Sequence, residues 1–255
     1  MNTQLLASYY GGSQSYGLET LTSDLDTRQI VCNTAPSYIL GLDRFEVSVS
    51  VTKTVDSVVS ELRHFITGLM TASMQAIECL YLPKDKFLVL DQKFDDLILQ
   101  AKNRLISPLR LYECIRGYSY SEQKLANGER VGKLGGKRQA QLSKLGFSPK
   151  NFVNLFRLLF AATKFFELGE FPVEPRRISP MFHGFLLDVK CCPENYCKEE
   201  LNCITTIMQE TFESSYAKHK DAITKEFSYD IDYANNVLLE FYYPHLQLWR
   251  DDKQN

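Results

Sequence analysis

Apolar and polar positions alternate with one period in the first part of the chain and another in the rest. Leu5 to Tyr10 is a short apolar run ending at Gly11-Gly12-Ser13, which predicts a strand entering a tight turn. After the short polar segment Ser15 to Thr22, the stretch Leu25 to Cys32 carries β-branched Thr27, Ile30 and Val31 and predicts a second strand. From Phe45 to Val59 the period is two. Val47, Val49 and Val51 fall on one side and Ser48 and Ser50 on the other, the pattern of a half-buried strand or of a hairpin broken near Lys53-Thr54.

The period then lengthens. Leu62, Phe65, Ile66 and Leu69 recur at helical spacing, and Ile77, Leu80 and Tyr81 extend the pattern until Pro83 stops it. Beyond residue 90 the periodic stretches are helical: Phe94 to Leu105, Pro108 to Arg116, and Phe152 to Leu168, which Gly169 and Pro172 close. Strands first and helices afterwards predict an α+β fold with a helical C-terminal part, divided near residue 90 into segments 1–90 and 91–255. No internal repeat or low-complexity tract interrupts this order.

Composition narrows the class. The chain has 255 residues, 44% apolar and 24% charged, which suits a globular protein with a substantial core. Lys and Arg number 29 against 31 Asp and Glu, a net charge of −2, which excludes a uniformly basic nucleic-acid coat but leaves local basic patches open. No apolar run approaches the roughly 18 residues that span a bilayer, so no membrane partner is expected. Met1 to Tyr10 lacks the basic and apolar regions of a signal peptide. Seven cysteines at irregular spacing suit reduced thiols, so a cytoplasmic protein is expected.

The chemistry concentrates in Gly12-Ser13, ten intervening residues, and Asp24-Leu25-Asp26. On a strand, side chains two apart share a face about 7 Å apart, so the two carboxylates would repel unless a cation lies between them. Mg²⁺ suits that task, since it takes one or two carboxylates together with substrate phosphate. Glycine lets backbone N–H groups approach a phosphate, and the Ser13 hydroxyl adds a donor. Arg28 is the basic neighbour on the carboxylate face. Each feature alone is commonly a turn or a helix cap; the order and spacing together point to phosphoryl or nucleotidyl transfer by two metal ions.

That string resembles the signature of the DNA polymerase β-like nucleotidyltransferase superfamily. More narrowly, Gly12-Ser13-Gln14-Ser15-Tyr16-Gly17-Leu18 followed by Ser23-Asp24-Leu25-Asp26-Thr27-Arg28 is similar to the RNA-ligase-and-polymerase-associated nucleotidyltransferases of bacteria and their phages. Weaker likenesses continue in Ile77-Glu78-Cys79-Leu80, in Gly117-Tyr118, and in Leu145-Gly146-Phe147-Ser148-Pro149-Lys150 running to Asn154, Arg157, Leu158 and Leu159. Gln29 stands where that family has glycine, and Asn154 where a histidine is expected.

The resemblance implies a polymerase-β-like core, a short mixed sheet with helices, followed by helices lining a nucleotide and acceptor cleft. It implies an enzyme that moves a nucleoside monophosphate from a nucleoside triphosphate such as ATP to an acceptor hydroxyl. An RNA end is the favoured acceptor, in RNA repair, with a protein side chain or a silent nucleotide-binding module as alternatives. Location would be the cytoplasm, the host's if the chain is phage-encoded. The implied cofactor is a pair of Mg²⁺ ions, with Mn²⁺ as a substitute, held by Asp24, Asp26 and a third acid. Alignment favours Asp56 for the third acid over Glu46, while the bland reading makes Asp56 a helix cap. Gly12, Ser13 and Arg28 would serve the nucleotide.

Three further patterns carry competing readings. Lys150, Asn154, Arg157 and Lys164 form one stripe on an otherwise apolar helix, so Lys150 and Arg157 either bind the triphosphate or sit in salt bridges at a solvated edge. The segment from Lys124 to Lys144 gathers Lys124, Arg130, Lys133, Lys137, Arg138 and Lys144 among glycines, as either a nucleic-acid contact or a solvated insertion. Cys191, Cys192, Cys197 and Cys203, with His183 and His219 nearby, lack the paired knuckle spacing of a zinc site and read better as idle thiols.

Overall fold

The computed structural model describes residues 3–21, 23–45, 48–51, 55–129 and 136–252, with 48–51, 55, 136–138 and 252 as backbone only. The chain is α+β, a small mixed sheet followed by a mostly helical C-terminal part. Strand β1 (Thr3–Tyr10) runs into the short helix α1 (Gly12–Ser15), then β2 (Leu25–Asn33) and α2 (Pro36–Ile39) follow. Strands β3 (Ser48–Val51) and β4 (Val55–Glu61) form an antiparallel pair, so the alternating segment does double back. Glu46 lies outside the described residues.

Helices α3 (Leu62–Met70) and α4 (Met74–Leu80) come next. The apolar spacing is continuous through them, but the helix is not. Ala72 takes a left-handed φ of 54° and Ser73 N–H donates to Gly68 O at 2.7 Å, turning the chain between the two. A fifth strand, β5 (Phe87–Leu90), then joins the far edge of the sheet, whose order is β3-β4-β2-β1-β5. Only β2 and β4 run parallel; the other neighbours are antiparallel. Sequence periodicity missed β5. Four apolar residues cannot show a period, and at the edge Leu88 and Val89 remain half exposed.

The helix expected from Phe94 to Leu105 is replaced by a broken path. Helix α5 (Gln92–Phe94) leads into a wide π turn at Asp95–Leu99 and a 3-10 turn at Lys102–Arg104. Asp95 is nearly buried, and its carboxylate accepts from Lys84 Nζ at 2.6 Å and Gln100 Nε2 at 3.3 Å. The π turn still brings Phe94 and Ile98 into the core, so the apolar spacing is satisfied without a regular helix.

Helices α6 (Pro108–Ala126), α7 (Gly136–Leu145), α8 (Pro149–Leu168), α9 (Pro180–Cys191), α10 (Lys198–Glu226) and α11 (Ile231–Asp252) complete the chain. Gly169 ends α8 in the left-handed region, φ 72°, and its N–H donates to Phe165 O at 2.8 Å. On α8, Phe152, Leu155, Phe156 and Leu159 are fully buried, each worth about 1.5–3 kcal/mol by removal from water.

Two compact units result, Met1–Ser107 with Glu226–Asn255, and Pro108–Lys225. The division therefore does not fall near residue 90. Residues 91–107 stay with the sheet because the start of the last helix is stitched to them. Ser228 N–H donates to Asn103 O at 2.8 Å, Asp230 N–H to Arg104 O at 2.9 Å, and Arg104 pairs with Asp230 at 2.6 Å.

Within that unit Glu61 is fully buried at the junction of β4 and α3. Its carboxylate accepts from the hydroxyls of Tyr38 and, at 2.6 Å, Tyr242, and from the N–H groups of Asn33 and Arg63 at 3.2 and 2.7 Å. The Arg63 guanidinium lies 4.8 and 5.5 Å from the Tyr38 and Tyr242 ring centres, supplying positive charge nearby. Burial and the adjacent carboxylate push both tyrosine hydroxyls well above their ordinary pKa. Four donors around one carboxylate make its burial tolerable and tie α2, β2, α3 and α11 together.

Candidate active site

Strand β1 ends where the backbone must turn sharply. Gly11 N–H donates to Asp26 O at 2.9 Å, fixing the turn to the start of β2, and Ser15 Oγ donates to Gly12 O at 2.8 Å to close α1. Gly12 has φ +56°, and a Cβ there would stand 1.8 Å from Asp26 Oδ2. A Cβ on Gly11 would stand 2.9 Å from Arg28 Nε. The two glycines thus leave open the space that the Asp26 and Arg28 side chains occupy.

Register decides which acids meet. In the parallel ladder of β2 and β4, Asp26 is the direct partner of Asp56, Arg28 of Val58 and Ile30 of Ser60. Directly paired residues share a face and neighbouring strands lie about 4.8 Å apart, so Asp26 and Asp56 stand abreast. Arg28 follows one row along, opposite Tyr9 of β1. Asp24 lies one residue before β2 and is exposed, so the close pair is Asp26 with Asp56. Asp56 does not cap α3; Glu61 does, accepting from Arg63 N–H.

Side contacts hold the turn from behind. Tyr16 donates its hydroxyl to Glu78 Oε2 at 3.0 Å, and Lys86 Nζ donates to Gln14 O at 2.9 Å. Glu78 therefore anchors α1 to α4. Ser23 N–H donates to Thr20 O, and Thr20 N–H to Ser23 Oγ, both at 2.9 Å, shaping the approach to Asp24. Tyr9 and Cys79 are buried beneath, and desolvation raises both, the thiol to about 12.

No family model matches the chain, and no curated protein matches it. The chemistry of the donors must therefore carry the functional reading.

Two abreast carboxylates offer hard oxygen donors, and like charges directly opposite on a sheet are unfavourable without a counter-charge. That donor set fits a hard divalent cation completed by water and phosphate oxygen, which needs only one or two protein carboxylates. Among the described residues no three His, Cys, Asp or Glu side chains gather closely enough to hold an ion.

Lys150 and Arg157 belong to the other unit. Lys150 is exposed on the first turn of α8. Arg157 is 1% exposed, and its Nη2 donates to Asn154 Oδ1 at 2.9 Å. A phosphate reaching Arg157 would have to enter the interior of that unit. Asn154, standing where a histidine is expected, also donates to the Tyr118 hydroxyl at 2.9 Å. Burial, with the negative charge of Glu122 second, pushes that hydroxyl to about 12. Asn151 donates to Glu122 Oε1 and accepts from Ser148 Oγ, both at 2.6 Å. The scattered landmarks at Tyr118, Ser148, Asn154 and Arg157 thus belong to buried polar contacts between α6 and α8. Lys164, last on the stripe, pairs with Glu167 at 2.6 Å.

Of the basic segment, 130–135 lie outside the described residues, as do the side chains of Lys137 and Arg138; Lys124 and Lys144 are exposed. All seven cysteines are free thiols. Cys197 has a local task. Its Sγ accepts from Glu200 N–H at 3.4 Å while Glu200 Oε2 accepts from Cys197 N–H at 2.8 Å, a reciprocal cap on α10.

Proposed function

We propose that the chain is a metal-dependent nucleotidyltransferase that moves a nucleoside monophosphate from a nucleoside triphosphate to an acceptor hydroxyl, with an RNA end as the acceptor. The observation that supports it best is the register that sets Asp26 beside Asp56 at the mouth of the Gly11-Gly12 turn. Asp26 and Asp56 would hold Mg²⁺ or Mn²⁺, and Asp24, exposed one residue before β2, would have to move to join them. Such ions supply charge for the α-phosphoryl group and leaving pyrophosphate and lower the pKa of the attacking hydroxyl.

The protein's own contribution is placement. The Gly12–Ser15 turn offers backbone and hydroxyl donors for phosphate oxygens, and Arg28, one row from the acids, adds a fixed positive charge. Asp26 is held by the glycine surface it rests on, so little reorganisation is needed when substrate arrives.

The test offers each of four labelled triphosphates with Mg²⁺ and pooled RNA. Transfer of label to RNA is expected in the wild type, with a loss of at least about 100-fold in Asp26→Asn and Asp56→Asn, since each removes a charge that metal chemistry needs. Unchanged transfer in both variants refutes the assignment. Label on co-incubated protein instead of RNA refutes the acceptor.

A further inference from the structure

The turn that carries Gly12 is too small to keep its own shape. Helix α1 has four residues, far fewer than a helix needs to persist in water without outside contacts. Of the main-chain bonds that bracket it, Ser15 N–H to Gly11 O and Gly17 N–H to Gln14 O are long, both 3.4 Å, and Leu18 N–H to Ser13 O is shorter at 2.9 Å. Gln14 Oε1 is buried with no hydrogen-bond partner among the described residues, a further cost against this conformation. Groups beyond the turn must therefore hold it.

The bond between Tyr16 and Glu78 is one such tie, and the Lys86 ammonium supplies another, donating to Gln14 O at 2.9 Å. Gln14 O is one of the last carbonyls of α1, where a lysine donor is favourable. Strand β5 delivers this lysine. It runs antiparallel to β1 with Phe87 opposite Tyr9 and their ring centres 5.6 Å apart, so Lys86 comes level with the end of β1. The edge strand that periodicity missed thus brings a cation to the site turn. Lys84 leaves the same 3-10 turn, Lys84–Lys86, for a different purpose. Its ammonium pairs with the nearly buried Asp95 at 2.6 Å and so serves the fold.

We infer that Lys86 is a positioning residue, whose ammonium on Gln14 O holds α1 in the arrangement that seats Gly12 against Asp26. This deepens the transferase reading, on which it rests, by naming a residue that sets the site's readiness without touching the substrate. A turn released from Lys86 populates the seated arrangement only part of the time. Apparent affinity for the metal-bound triphosphate then falls by that fraction, while the saturated complex turns over as before. Loss of folded protein has the opposite signature, a lower kcat at unchanged KM.

Lys86→Met, which keeps the apolar stem and removes the ammonium, should raise KM for the triphosphate at least about tenfold with kcat within about twofold of wild type. Lys86→Gln, shorter and uncharged, is the second variant and carries the same expectation should Lys86→Met not fold. Lys86→Arg restores a cation and should return KM to within about threefold of wild type. Lys84→Met should lower the urea midpoint and leave KM within about twofold, since it takes the counter-ion from Asp95 and nothing from α1. Hydrogen exchange read by mass spectrometry gives a measure that needs no activity. Residues 11–18 should exchange at least about threefold faster in Lys86→Met than in the wild type or Lys84→Met, with β2 unchanged. An unchanged KM in Lys86→Met, a fall in kcat alone, or equal KM shifts in Lys84→Met and Lys86→Met overturns the inference, as does unchanged exchange over 11–18. A chain that shows the exchange difference but transfers nothing overturns the transferase reading and keeps the tie between Lys86 and the turn.

Discussion

Replacing Gly12 with alanine separates the local geometry of the site from the general cost of a left-handed residue. Gly12 and Gly41 both have positive φ, +56° and +80°, but a Cβ on Gly41 meets nothing within 4 Å. Alanine at either position pays about 1–2 kcal/mol for the left-handed backbone. Both recover about 0.4–1 kcal/mol from the stiffer unfolded chain. Only Gly12→Ala adds a contact of 1.8 Å to Asp26 Oδ2 and 2.8 Å to its Cγ. The carboxylate must swing away, at about 0.5–1.5 kcal/mol if it leaves its rotamer well. Gly12→Ala should therefore be about 1 kcal/mol more destabilising than Gly41→Ala in urea unfolding, since the backbone costs cancel. The excess should shrink in an Asp26→Ala background, where only the 3.2 Å contact to Cβ persists. Equal costs for the two glycines, or an excess untouched by Asp26→Ala, would refute the claim that Asp26 rests on the Gly12 surface. In the transfer assay Gly12→Ala should lose activity and Gly41→Ala should not.

Glu61→Gln should destabilise by about 1–3 kcal/mol, read from the urea midpoint, because a neutral amide turns its own donor toward hydroxyl and N–H donors. Tyr242→Phe should cost less, since the carboxylate keeps its other three donors. Burial raises the Cys32 and Cys79 thiols from 9.0 to about 12, so the folded state retains protons that the unfolded state loses. Stability should be fully present below pH 9 and fall from there toward pH 12, with a shallower fall in the Cys32→Ala, Cys79→Ala double variant. A flat urea midpoint across that window would exclude the effect. Under native conditions iodoacetamide should modify exposed Cys191, Cys197 and Cys203 first, and Cys32 and Cys79 only on unfolding, as peptide mass spectrometry would show.

What the sequence made legible follows from which forces are local. Strand β1 was readable from a short apolar run ending at glycine and β2 from a β-branched one, and α8 from seventeen residues of apolar spacing stopped by a glycine. The doubled-back segment was legible only as a choice between one strand and a hairpin, since strict alternation holds on Val47 to Val51 and lapses at Val58-Val59. What stayed hidden depends on partners distant in the chain. The broken path through 92–104 is set by Asp95, whose bond to Lys84 comes from before β5. The return of α11 to the sheet unit rests on Tyr242 reaching Glu61 and on Asp230 reaching Arg104, pairings that no spacing announces. In the site, the Gly12–Asp26 neighbourhood was suggested by motif order. That Asp26 meets Asp56 is a matter of register between strands thirty residues apart, which composition does not encode.

That register has an anchor at the other end of the same ladder. Five residues beyond Asp26 and Asp56, Val31 pairs with Glu61, and the Glu61 carboxylate accepts from Asn33 N–H at the end of β2. A slip of one residue between β2 and β4 would send Asp56 to the face opposite Asp26 and leave two acids unable to share a cation. It would also move Glu61 away from its donors, exposing a buried carboxylate to the full cost of desolvation. The buried cluster that a stability argument explains and the half-buried pair that a chemical argument needs are therefore secured by the same alignment. A carboxylate buried among tyrosines far from the proposed chemistry is where the geometry of the acid pair is decided.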